Sequence, residues 1–195
     1  PPEVLRASAG KYRILYTPHH SLEGWSTFLR HGEAMRRLLA EMPDCYLVFR
    51  PHPGLLPRLL HDKVMSERAF RGFFGPERCH LDESESYYGL FRWSDLLVSD
   101  ASSFLVQYAA VGKPVIYTLR EDGWGGLDDA LRPEVLQGYY LARESAEIAP
   151  LVRRLKAGED PLAEQRHACQ ARMVHGIHQG GAGRRIADYI KARLA

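Results

Sequence analysis

Short apolar runs alternate with amphipathic stretches along this chain. Tyr12 to Thr17 (YRILYT) is a mainly apolar run stopped by Pro18. It lacks the period-two alternation of a half-exposed strand, as expected of a strand covered on both faces of a parallel sheet. Ser26 to Glu41 carries Phe28, Leu29, Met35, Leu38 and Leu39 at helical spacing. Ser26 or Thr27 is placed to cap that helix, and Pro43-Asp44 to end it. The design then repeats. Cys45 to Arg50 reads as a strand halted by Pro51-His52-Pro53, and Leu55 to Phe74 as mostly helix ended by Gly75-Pro76. Arg78 to Leu81 is a short strand, Ser86 to Trp93 a short helix, and Leu96 to Ser99 a strand. Phe104 to Val111 is a helix that stops at Gly112, and Pro114 to Thr118 is the next strand. Tyr139 to Ala142 is the last strand, followed by a Ser145-capped helix with Ile148, Leu151, Val152 and Leu155 on one face. One or two further helices close the chain.

This alternation with short connections predicts an α/β fold: a Rossmann-like parallel sheet with helices on both faces. In such sheets ligands bind beyond the carboxyl ends of the strands. Five segments fall there: Thr17 to Ser21, Arg50 to Pro53, Asp82-Glu83-Ser84, Ser99 to Ser103, and Thr118 to Gly126. Four of the five are rich in His, Arg, Ser or acid.

Composition narrows the function. The chain has 195 residues, 45% hydrophobic and 26% charged, with a net charge of +2. That suits one globular domain that buries roughly two-thirds of its unfolded surface. No apolar run approaches the ~20 residues of a membrane span, and no apolar signal-peptide core follows the N-terminus. Cys45, Cys79 and Cys169 are too few and too scattered for a disulfide scaffold and suit a reducing compartment. The near-zero net charge disfavours nucleic acid as a partner. Charge is uneven, however. From Leu151 to Ala195 nine Lys/Arg face four Asp/Glu, leaving the first 150 residues three units acidic. The basic region is either a solvated helix surface or a contact for anionic lipid or a phosphorylated ligand.

The strand ends offer specific chemistry. Ser102 and Ser103 sit between a strand and a helix, where hydroxyls and unpaired backbone N–H groups suit phosphate; a simple helix cap is the alternative. In Arg50-Pro51-His52-Pro53 two prolines stiffen the turn and fix the imidazole, which can donate to phosphate or move a proton. The alternative there is a strand terminator with an incidental histidine. Adjacent His19-His20 suggest metal, as do Cys169, His175 and His178, but neither set has the partners a metal site needs. A P-loop, a Gly-x-Gly-x-x-Gly after the first strand and a Gly-x-Ser-x-Gly elbow are all absent. Gly123-Trp124-Gly125-Gly126 reads as a flexible or ligand-covering loop.

The order Ile14 to Pro18, Arg50-Pro51-His52-Pro53, Ser94 to Ser103 (SDLLVSDASS) and Gly112 to Tyr117 (GKPVIY) resembles the CDP-glycerol glycerophosphotransferase family of teichoic-acid and capsule-type polymerases. The likeness covers most of Lys11 to Thr118, and more loosely Gly183 to Ile190. It implies a GT-B enzyme of two Rossmann-like lobes, with residues 1–195 forming the C-terminal, nucleotide-donor-binding lobe and an N-terminal lobe missing. A chain that opens Pro1-Pro2 without methionine fits that expectation. The implied reaction transfers glycerol phosphate, or another polyol phosphate, from a CDP-linked donor to a polymer or lipid-linked acceptor. It would take place in the cytoplasm, with peripheral contact at the cytoplasmic face of the plasma membrane, and without a bound metal or cofactor. By the same resemblance His52 is catalytic. Ser102, Ser103, Arg50 and His19 hold the donor phosphates, with Arg50 also bracing the loop, and Asp100, Glu83 and Ser84 lie at the nucleotide. The chain departs from the family at Ala101, where a Tyr is usual, and at His19-His20-Ser21, where a Thr-Trp-like segment is usual. These departures leave two alternatives: a GT-B glycosyltransferase or epimerase using a UDP- or CMP-sugar, and a non-catalytic nucleotide-binding module.

Overall fold

The computed structural model describes residues 2–120, 136–174 and 181–194. Within them β1 (Tyr12–Thr17), β2 (Cys45–Phe49), β3 (Cys79–Leu81), β4 (Leu96–Ser99), β5 (Val115–Thr118) and β6 (Tyr140–Ala142) form one sheet, ordered β3-β2-β1-β4-β5-β6. Every pairing is parallel. The predicted α/β fold is the one observed. β1 and β4 keep their predicted bounds, since Pro18 and the polar Asp100 segment end them.

Successive side chains of the central strands enter two different cores. Ile14, Tyr16, Leu47, Phe49, Leu96, Val98 and Ile116 face one side. Leu15, Tyr46, Val48, Leu97, Val115 and Tyr117 face the other. Both sides are dry, so both parities of position are apolar and the sequence loses its period-two signal. The first core is covered by α2 (Phe28–Glu41), α3 (Leu55–His61), α4 (Glu67–Arg71) and α7 (Ser145–Lys156). The second is covered by α1 (Pro2–Ala7), α5 (Tyr88–Trp93) and α6 (Ser103–Ala109). α8 (Ala163–Val174) and α9 (Ala182–Leu194) follow.

Several local expectations are corrected. The single helix expected over Leu55 to Phe74 is two, because Lys63 adopts φ 55°, a left-handed value that ends α3. Ser66 then caps α4 by accepting the Ala69 N–H at 3.2 Å. Helix α1 was not legible in the sequence. It is held by buried Val4 and by the Trp93 indole N–H, which donates to Ser8 Oγ at 3.0 Å. Ser145 does not cap α7; Glu144 does, in a capping box with Glu147. Ser145 instead donates to Arg30 O at 3.0 Å and bonds His31 Nδ1 at 2.8 Å, tying α7 to α2.

The basic C-terminal region is not one uniform surface. Arg166 on α8 is buried: it pairs with Asp160, and its Nε donates to Gly112 O at 2.9 Å. Gly112 has φ +72°, and a Cβ there would run into the Gln170 amide, so the β5 entry turn accepts α8 closely only as glycine. Arg184 through Leu194 on α9 are exposed. Among the described residues no helix is long and apolar enough to cross a membrane, and Cys45, Cys79 and Cys169 are not disulfide-bonded.

Replacing Arg166 with Ala removes the cation from a pair whose other member is 20% exposed. We expect a loss of about 2–4 kcal/mol, below the full range for a dry pair because Asp160 keeps some water. Urea unfolding measures it, and an unchanged midpoint would contradict the anchoring role.

Candidate functional site

The strand order reverses between β1 and β4, and there the carboxyl ends of neighbouring strands lead into connections that diverge. A cavity of about 330 Å³ opens at this point. Pro18 and His19 after β1, Arg50 through Pro53 after β2, Glu85 and Tyr87 beyond β3, and Ser102 through Phe104 after β4 line it. Of the predicted site residues, His19, Arg50, His52, Ser102 and Ser103 therefore share one wall.

Asp100 lies beneath this cavity rather than in it. Its side chain is fully buried; Oδ1 accepts the His19 N–H at 2.7 Å and Oδ2 the Thr27 N–H at 2.8 Å. Burial pushes the carboxyl up to about 7, against the opposing pull of these N–H donors, which favour the ionised form. The carboxylate thus fastens the β1–α2 connection to the end of β4. A ladder of buried hydroxyls continues across the strand ends. Thr17 Oγ1 donates to Ser99 Oγ at 2.8 Å, Thr118 Oγ1 donates to Ser99 O at 3.2 Å, and Thr27 Oγ1 lies 2.8 Å from Thr118 Oγ1.

Arg50 is likewise a brace. It pairs with nearly buried Asp82, donates to Ser84 O at 2.8 Å, and lies 5.5 Å from the Tyr87 ring centre. Ser84 donates to Asp82 Oδ1 at 2.9 Å. Glu83 pairs with Arg71 at 2.8 Å. Glu83 and Ser84 line a smaller adjoining cavity of about 140 Å³, separated from the larger one by the Arg50–His52 turn.

His52 is held rigidly. Its N–H donates to Pro18 O at 2.9 Å, and its Nδ1 accepts the Gly54 N–H at 3.0 Å. The neutral ring therefore carries its proton on Nε2, as a donor. His19 has the same tautomer, because its Nδ1 accepts the Ser21 N–H at 3.1 Å. His20 lies between the two, with ring centres 4.2 Å from each; His19 and His52 are 5.3 Å apart. Trp25 packs against His19 at 5.1 Å. Burial, then the neighbouring His20 and His52 rings, push His19 down to about 4. Burial, then His20, lowers His52. Both rings are neutral donors at neutral pH in the unliganded protein. A Cβ on Gly54 would sit 3.1 Å from His20 Cβ and 3.3 Å from His52 Nδ1, so a side chain there would press on both histidines.

Ser102 does cap α6, accepting the Phe104 N–H at 3.1 Å; its own hydroxyl hydrogen remains a donor. Ser103 begins the helix and is exposed. Sequence reasoning missed Glu85, Tyr87 and Phe104 on the cavity wall. The strand-end rule reached Asp82 to Ser84 and stopped one residue short of Glu85. Among the described residues no group of three or more His, Cys, Asp or Glu is arranged to hold a metal ion. Gly123 to Gly126, His175 and His178 lie outside the described residues.

No protein-family model and no curated protein matches this sequence. Solved structures do. The UDP complex of S. aureus MnaA superposes with a TM-score of 0.68 at 22% identity, covering 98% of this chain and 48% of that one. A variant of the wall teichoic acid polymerase TagF soaked with CDPG gives 0.61 at 19% identity, covering 100% and 46%. HepE of Anabaena with UDP-glucose gives 0.61 at 16% identity, covering 98% and 53%. At such identities the likeness establishes the fold alone. This chain spans about half the length of those structures, and its fold is that of one lobe of a GT-B enzyme.

Asp100→Asn is nearly isosteric but turns an amide toward a backbone N–H. We expect about 1–3 kcal/mol of destabilisation in urea unfolding. The pH dependence adds a second readout. The folded carboxyl holds its proton up to about 7, against an ordinary value of 3.8, so its stabilising contribution is complete below that ordinary value and is lost as pH rises through about 7. Asp100→Asn should remove that part of the slope; an identical slope in both proteins would contradict the assignment.

Proposed function

We propose that this chain is the donor-binding lobe of a GT-B transferase that moves glycerol phosphate, or another polyol phosphate, from a CDP-linked donor to a polymer or lipid-linked acceptor. The observation that carries the reading is the switch-point cavity. One wall combines a proline-clamped imidazole with the Ser102-Ser103 turn, in the order by which the sequence resembles the CDP-glycerol glycerophosphotransferases. The fold likeness to TagF, soaked with CDPG, supports it.

In this reading an acceptor hydroxyl attacks the phosphorus of the polyol phosphate and gives its proton to solvent, a new O–P bond forms, and the bond to the bridging diphosphate oxygen breaks to release CMP. Such transfers need positioning and charge stabilisation more than covalent help from the protein. The Nε2–H of His52 donates to the diphosphate as charge builds on the leaving CMP. Ser102 and Ser103 hold the phosphates with their hydroxyl hydrogens, and the Nε2–H of His19 adds a further donor. Arg50 acts at one remove, by fixing the turn that carries His52, and Asp100 by fixing the loop that carries His19. Glu83 and Ser84 flank the nucleoside end in the adjoining cavity. A second lobe brings the acceptor, so this lobe binds donor by itself but turns it over poorly. The exposed basic helix α9 suits the expected peripheral membrane contact at the cytoplasmic face.

A second reading is favoured by a specific observation. MnaA in its UDP complex gives a TM-score of 0.68, and a UDP-N-acetylglucosamine 2-epimerase structure gives 0.58, which supports a UDP-sugar epimerase or glycosyltransferase. The non-catalytic module remains the third.

In the natural full-length protein His52→Ala should lower turnover roughly 100-fold or more; near-normal turnover would remove His52 from the mechanism. Millimolar CDP-glycerol should raise the melting temperature of this chain, since a ligand that binds only the folded state stabilises it. A rise with UDP-N-acetylglucosamine alone would transfer the assignment to the UDP-sugar class. Activity that survives Ser102→Ala/Ser103→Ala would instead favour the non-catalytic module.

A further inference from the structure

His20 is not on the cavity wall, and the reading above gives it no task. Its surroundings are nevertheless unusual. It is one corner of a three-imidazole cluster, 4.2 Å from the ring centres of both His19 and His52 and tilted 34° to each, with those two rings 5.3 Å apart. His19 and His52 each use Nδ1 to accept a backbone N–H, from Ser21 and Gly54 respectively. Adding a proton to either of these rings at Nδ1 would convert that acceptor into a donor facing another donor, and a hydrogen bond would be lost. His20 Nδ1 is buried and has no hydrogen-bond partner. Of the three rings it is the one that can take a proton at Nδ1 without breaking a bond. Three rings within 5.3 Å of one another also repel a second charge, so the cluster accepts one proton rather than several.

We propose that His20 is the positioning residue and charge carrier of the donor site: entry of a diphosphate ester is accompanied by uptake of one proton from solvent onto the His20 imidazole, behind neutral His19 and His52. The inference rests on the reading of this cavity as a donor-diphosphate site. Its physical basis is simple. A diphosphate diester brings negative charge into a cavity whose imidazoles are neutral beforehand, and a nearby anion raises the proton affinity of a histidine. Among the described residues, the charged groups nearest the three rings are paired or acidic, and Arg120 donates to Leu22 O at 3.1 Å in the same connection. Arg50 on the cavity wall is paired with Asp82, and Glu85 on that wall is acidic. Tyr87 lines the wall as a phenol, and Asp100 lies under the His19 N–H. Arg58, which links α3 to the β1–α2 connection, is shared between Glu23 and Asp62. A protonated His20 adds attraction for the donor without taking a hydrogen-bond donor away from the wall.

Titration calorimetry of CDP-glycerol and of UDP-N-acetylglucosamine into the chain at pH 6, in buffers of different ionisation enthalpy, reads the proton count. Both probes are diphosphate diesters with no phosphate proton of their own to exchange near this pH. We expect uptake of about half a proton or more per ligand, and affinity that tightens several-fold between pH 8 and pH 6. His20→Phe keeps a ring in the cluster and cannot be protonated. It should bind the same probe with almost no uptake and a nearly flat pH profile, which a purely structural role for His20 would not produce. The ring ¹⁵N shifts of His20 in the unmodified chain, with and without ligand, report the same proton without any substitution. Binding without proton uptake would overturn the inference and leave the donor-site reading standing. Equal uptake by wild type and His20→Phe would place the proton elsewhere and overturn it too. Absence of binding by either probe at millimolar concentration would overturn both.

Discussion

A carboxylate taken out of water costs several kcal/mol unless donors replace its lost hydration. Asp100 at the end of β4 meets that constraint in part, with two backbone N–H groups from the β1–α2 connection, those of His19 and Thr27, while burial still lifts its carboxyl to about 7. The arrangement of the strand-end crevice follows from it. With His19 and Thr27 fixed, the imidazole of residue 19 is set beside β4, α2 starts at a defined place, and Thr27 reaches Thr118 on β5. One buried side chain beneath the cavity thereby ties together three strand ends.

The crevice separates bracing from contact. Asp100 and Arg50 are ionisable groups that the sequence reading places at the donor, and Asp82 is the partner of Arg50. Each is instead committed to a protein partner, with Asp82 and Asp100 buried. The groups facing the cavity as donors are neutral: two imidazole Nε2–H groups and the hydroxyls of Ser102 and Ser103. This is a reasonable division for binding a diphosphate. Buried, paired groups hold the loops in place, while the residues that line the cavity offer hydrogen-bond donors. The cluster of three imidazoles adjoins that wall, with His20 next to both His19 and His52.

The half-length match to two-lobed structures gives the rest of the molecule a context. A GT-B lobe can fold around its own sheet, and here both faces of the sheet are fully covered. Its chemistry, in the reading proposed above, needs a cleft with a second lobe. The buried Arg166–Asp160 pair anchors α8 to the β5 side of the sheet, whereas α9 carries exposed Ile186, Tyr189 and Ile190 among its basic residues. The surplus positive charge of the last 45 residues thus divides between a structural anchor and an open surface.

The order of apolar runs and breaker residues alone determined the α/β class, the bounds of β1 and β4, and the strand-end segments that line the switch-point cavity. These follow from short-range rules: strand length, helical spacing, proline and glycine punctuation, and the position of loops at strand ends. The sequence also located His19, His52, Ser102 and Ser103. Tertiary structure alone decided which charged neighbours face the cavity and which are buried beneath it, because that depends on partners tens of residues away, as with Arg50 and Asp82 or His19 and Asp100. It likewise split the second long helix at Lys63, moved the α7 cap from Ser145 to Glu144, and buried Arg166 within a region that reads as a solvated tail. The imidazole cluster belongs to the same class. Two adjacent histidines and a third far along the chain carry no mark of their proximity until parallel pairing of β1 with β2 brings their loops side by side.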